Sequence, residues 1–70
     1  MKPLTRALRN RLEEYAAFAR EHRKINRADM ARIGEVSITQ ASADVKALMD
    51  HYPSLGLAYD KSKKTFVVGK

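Results

Sequence analysis

Ser37, Thr39, Gln40, Ser42, Ala43 and Lys46 form the one group of side chains in this sequence whose types and spacing suit a defined chemistry. On a helix turning 100° per residue, Thr39, Gln40, Ala43, Lys46 and Ala47 fall on one side, while Ile38, Ala41, Val45, Leu48, Met49 and Tyr52 fall on the other. The first side carries short hydrogen-bonding groups, small alanines and a lysine, and no carboxylate before Asp50. Such a face can approach nucleic-acid base edges and phosphates closely. An amide such as that of Gln40 pairs with adenine N6 and N7, whereas Thr39 and Ala43 suit a thymine methyl or a neighbouring edge. Ser37, Ser42 and Lys46 suit phosphates, which fix register without carrying sequence information.

Other chemistry finds no comparable group. Ser42 and Asp44, two apart on a helix, do not come together, and no histidine lies near enough in sequence to serve them as a base. His22 and His51 each sit near the end of a predicted helix, where a structural contact to terminal carbonyls is the expected role. With no cysteine and two histidines there is no zinc finger, and no glycine-rich phosphate loop occurs. The expectation is a protein that is not an enzyme, with no cofactor, metal or small-molecule ligand.

The elements that must hold this face are legible in order. The predicted reading helix begins at Ser37, an N-cap with Gln40 three residues on, so that Ser37 accepts from the Gln40 N–H while the Gln40 side chain reaches back; Pro53 ends it. A second, short helix starts at Asn26 as N-cap, with Asp29 in its first turn, Met30 and Ile33 inward, and Gly34 closing it as a C′ residue. Only Glu35 and Val36 separate the two, the spacing of a helix-turn-helix. Residues 4–23 predict a first helix, with Leu4, Leu8, Leu12, Tyr15, Phe18, Ala19 and His22 recurring at spacings of three and four. Its apolar arc is wide, and Leu12 and Ala16 are expected at an edge left over for a second chain. Arg11 projects into that arc as a snorkelling side chain with a buried stem, or else as an ionic contact to a partner. After Pro53, residues 57–59 and 65–68 are β-type runs with Tyr59 and Phe66 as core residues paired across a hairpin, and Lys61, Lys63 and Lys64 at its tip. Three helices and a hairpin in this order predict a mainly α fold with a small β-hairpin, a winged helix-turn-helix, as a single domain over residues 1–70.

Charge agrees with a polyanionic partner. The chain has 70 residues and a formal net charge of +6. Lys2, Arg6, Arg9 and Arg11 precede the first acidic residue, and Lys61, Lys63, Lys64 and Lys70 cluster at the other end. No apolar run approaches the roughly 18 residues of a membrane span, and the cysteine-free composition suits the cytoplasm.

Three motifs carry a family resemblance: Lys-Ile-Asn-Arg-Ala-Asp at 24–29, Ser-Ile-Thr-Gln-Ala-Ser-Ala-Asp at 37–44 and Leu-Ala-Tyr-Asp at 57–60. Together they resemble the N-terminal winged-helix domain of WYL-domain transcriptional regulators, including repressors of bacterial phage-defence operons. The resemblance covers most of residues 8–68, but lacks the ligand-sensing WYL domain and dimerisation region that follow in that group, as in a free-standing relative or an excised domain. It implies double-stranded DNA as partner, Arg27 near phosphates, residues 37–42 at the groove and the wing lysines on the flanking backbone or minor groove. The expected function is sequence-specific transcriptional regulation, as a repressor acting as a homodimer, formed through the first helix or only on DNA, on an inverted repeat. Two other readings stand beside it: an excisionase-like or architectural DNA-binding factor, and a winged-helix module that binds protein.

Overall fold

Residues 4–69 are described by a computed structural model; Lys2 and Lys70 of the terminal basic clusters lie outside them. The order is α1 (Arg6–His22), β1 (Lys24–Ile25), α2 (Arg27–Gly34), α3 (Ile38–His51), a 3-10 turn (Pro53–Leu55), β2 (Ala58–Asp60) and β3 (Thr65–Val67). The protein is mainly helical with a small antiparallel sheet, the arrangement expected of a winged helix.

Each helix starts where a side chain can take up a free backbone N–H. Thr5 Oγ1 accepts from Leu8 N at 3.1 Å, so α1 begins two residues later than its apolar period suggests. Asn26 and Asp29 form a reciprocal capping box on α2, at 2.7 and 3.2 Å. Ser37 Oγ accepts from Gln40 N at 3.0 Å at the head of α3. The C-terminal end of α2 differs from expectation: Gly34 is still helical, and Glu35 takes the left-handed conformation with φ +54°. Gly34 is needed for another reason. A Cβ there would lie 2.5 Å from Tyr15 Oη and 2.9 Å from Arg11 Cδ, so the missing side chain is what lets α1 approach the α2–α3 turn.

The core is one cluster in which Leu12, Tyr15, Ile25, Met30, Leu48 and Phe66 are prominent. Full burial of each large aliphatic member contributes about 1.5–3 kcal/mol. Leu12 and Ala16 belong to this core and are fully buried, which corrects their assignment to a spare edge for a second chain. The reason is placement: α1 packs on α2, α3, β1 and the 3-10 turn together, so its wide apolar arc is consumed within its own chain. His22, expected inward, is instead exposed and lies against Phe18, with ring centroids 4.2 Å apart.

The sheet has one strand more than the expected hairpin. Its order is β1–β3–β2, with Ile25 and Tyr59 both opposite Phe66. A two-residue strand leaves no periodic trace in a sequence, and only its pairing with β3 reveals it. Val68 N donates to Arg23 O at 3.0 Å, which extends the anchorage of the hairpin beside α1. Tyr59 and Phe66 pair edge to face as expected, at 5.0 Å and 60°. Only Phe66 is buried; Tyr59 shares its face of the sheet but stands on the edge strand β2, farther from β1 and the core, and so is exposed and is no core residue.

Candidate nucleic-acid interface

The buried stripe of α3 is Ala41, Asp44 and Leu48. Relative to the expected arc, this face is turned by roughly half of one residue's 100° step, bringing Asp44 in and leaving Ile38 and Met49 out. Ile38 is 52% exposed, and Ala47, expected outward, is partly buried against the core. Neither Ile38 nor Met49 is therefore the inward residue its hydrophobicity suggests.

Asp44 is 2% exposed, and its carboxylate accepts four hydrogen bonds. Arg11 Nε and Tyr15 Oη each donate to Oδ2 at 2.8 Å. Arg11 Nη2 and Gln40 Nε2 donate to Oδ1 at 3.1 and 3.0 Å. Burial pushes the Asp44 carboxyl upward, but the hydrogen bonds from Arg11, Gln40 and Tyr15 and the Arg11 charge outweigh it and hold the group below the usual aspartate range. Burial, then the bond to Asp44, pushes the Tyr15 hydroxyl up to about 12. An ionised aspartate, a guanidinium and a neutral phenol thus tie α1 to α3. Arg11 is no simple snorkelling side chain, and its ionic contact is inside the chain. The sequence places Arg11 and Tyr15 on the inward arc of the first helix but does not join them to Asp44; the signal is present as a basic residue on the inward side of one helix and an acidic one near the inward side of another.

Gln40 does not reach back to its own N-cap as a full capping box requires. Instead of accepting from the Ser37 N–H, its amide donates from Nε2 to the charged Asp44 carboxylate at 3.0 Å. Its backbone N–H nonetheless satisfies Ser37.

The candidate contact residues are all at the surface. Thr39, Ala43 and Lys46 share the outward face of α3, with Ser37 and Ser42 exposed beside them and Gln40 on the flank toward Asp44. Lys61, Lys63 and Lys64 are exposed at the hairpin tip, held by an aspartate turn in which Asp60 Oδ1 accepts from Ser62 N at 2.9 Å and Lys63 N at 3.1 Å. Lys64 carries the positive φ that closes this turn, +54°. Arg27, at the first turn of α2, belongs with the wing rather than with α3. Its guanidinium lies 5.9 Å from the Tyr59 ring centroid and 5.7 Å from that of Phe66.

Among the described residues, ion pairs are made by Arg11 with Asp44, Arg32 with Asp29, and weakly by His22 with Glu21. Lys46, Arg27 and the three tip lysines have no acidic partner within 4.0 Å there, and the nearest tip carboxylate, Asp60, is engaged by backbone. Five cations, one on α3, one at the start of α2 and three at the hairpin tip, are therefore available to an external anion. No group of three metal-ligating side chains occurs among the described residues, and no helix there is long and apolar enough to cross a membrane. Neither a family model nor a curated protein matches this chain.

Proposed function

We propose that this chain is a winged-helix protein that binds double-stranded DNA, with the N-terminal turns of α3 in the major groove and the wing lysines on the adjoining backbone. The observation that carries the reading is the pairing of a capped helix whose outward face is polar and small with a basic hairpin whose charges meet no acidic side chain within 4.0 Å among the described residues. Thr39, Gln40 and Ala43 take the base edges; Ser37, Ser42, Lys46, Arg27, Lys61, Lys63 and Lys64 take phosphates. The likeness of three motifs to WYL-domain regulators supports transcriptional control in the cytoplasm, by repression from an inverted repeat, rather than catalysis.

One such domain reads few base pairs, so a pair of copies on half-sites about one helical turn apart is part of the proposal. With Leu12 and Ala16 in the core, that pairing occurs on DNA or through another surface, not through their edge of α1.

Salt titration of duplex binding tests the reading. With about four to six phosphates contacted per chain, log K against log salt falls with a slope of about −4 to −5 per chain. A slope near zero refutes it. Lys63→Ala and Lys64→Ala each weaken binding to specific and random duplexes alike. A footprint on the upstream region distinguishes a two-fold site from the tandem array of an architectural factor.

A further inference from the structure

Three of the four hydrogen bonds at Asp44 come from the α1 side chains Arg11 and Tyr15, and they suffice to compensate a buried carboxylate. The fourth comes from Gln40, a residue exposed on the side of α3 that the proposed function turns toward DNA. An ionised carboxylate only accepts hydrogen bonds. The amide end beside it must therefore be Nε2, because turning the amide over would set Oε1 against Oδ1 at the same 3.0 Å separation. Asp44 thus fixes the polarity of the only glutamine in the chain.

The fixed polarity has a consequence for base recognition. A planar primary amide has two N–H donors and one carbonyl acceptor. With one N–H committed to Asp44, one donor and one acceptor remain. In the major groove that pair matches adenine, which offers an N7 acceptor beside an N6 donor. Guanine offers two acceptors, N7 and O6, and would require the N–H that Asp44 holds. We infer that Asp44 is a positioning residue for base readout, which orients Gln40 to accept adenine and refuse guanine at one position of each half-site. This rests on the reading of α3 as a DNA-reading helix.

Two measurements test it. The first is the side-chain amide order parameter of Gln40 in free wild-type protein, whose signal is separable from those of Asn10 and Asn26. A pinned amide gives a value near about 0.85, like rigid backbone, and a free one falls below about 0.6. The second is selection from randomised duplexes by the wild type, Gln40→Ala, Asp44→Asn and Tyr15→Phe. The wild type prefers adenine over guanine about tenfold or more at one position. Gln40→Ala and Asp44→Asn both lose that preference while other positions keep theirs, and Tyr15→Phe, which leaves the Gln40 bond in place, retains it.

An Asp44→Asn protein that keeps the preference, or that loses preference at every position equally, overturns the inference, the second outcome marking a purely structural role. If Asp44→Asn does not fold, the wild-type order parameter decides: a value below about 0.6 overturns the inference and a value near 0.85 upholds it. A wild type that selects a sequence with a mobile Gln40 amide overturns this inference alone. One that selects no sequence with a rigid amide overturns the DNA reading and the inference with it.

Discussion

Asp44→Ala removes the carboxylate that accepts four hydrogen bonds from three side chains, and the structure sets the size of the loss. Tyr15 is fully buried, so its hydroxyl would be stranded without a partner at a cost of about 1–3 kcal/mol. Breaking a buried ion pair costs about 3–5 kcal/mol. The Arg11 side chain is 19% exposed and can turn partly to water, which places that loss at the low end. The two effects share one carboxylate and do not add, so the expected destabilisation is about 3 kcal/mol. A 70-residue domain has a total stability of about 4–10 kcal/mol, so this is a large fraction of it. Urea unfolding at neutral pH followed by circular dichroism measures the difference, with exposed Asp50→Ala as a control expected to change stability by less than about 0.5 kcal/mol. The pH dependence has a required sign. The folded-state pKa of Asp44 is depressed, so its contribution is complete above the ordinary aspartate value of about 4 and is lost as pH falls through the lower folded value. The gap between wild type and Asp44→Ala therefore narrows on acidification below about pH 4. A gap under about 1 kcal/mol at neutral pH, or one that widens in acid, refutes the account of this network.

Further outcomes follow from the same contacts. Tyr15 has a raised pKa, so the stability it contributes is complete below the ordinary tyrosine value of about 10 and is lost as pH rises to about 12; the urea midpoint of Tyr15→Phe should lack this alkaline drop, with Tyr52 and Tyr59 common to both proteins. Gly34→Ala should destabilise by about 1–3 kcal/mol in thermal unfolding, since the new Cβ meets Tyr15 Oη at 2.5 Å, although in an open helix the same change would stabilise. Leu12→Ala should cost about 2–5 kcal/mol while Ile38→Ala changes stability by less than about 0.5 kcal/mol, and equal losses would contradict the burial that separates them.

What the sequence determined alone is what local chemistry determines. Asn26 and Ser37 mark helix starts because an unpaired N–H is satisfied within three residues, and no distant group is needed. Tyr59 and Phe66 find each other because a short turn held by Asp60 sets the register of neighbouring strands. The exposed face of α3 was legible at Thr39, Ala43 and Lys46 for the same reason: helical periodicity tells which residues share a side.

Periodicity does not say where the centre of the buried side lies, and only tertiary packing decided that. In α3 the deciding contact is Arg11 and Tyr15 on Asp44, partners 33 and 29 residues away, which make a carboxylate a better inward residue than Ile38. In α1 the enclosing elements decided it, turning an apparent spare edge at Leu12 and Ala16 into core. A strand as short as β1 exists only because β3 offers it hydrogen bonds, and Gly34 is fixed by the approach of another helix rather than by its own backbone. In each case the residue's role depends on an atom far along the chain, and hydrophobicity read locally cannot contain it.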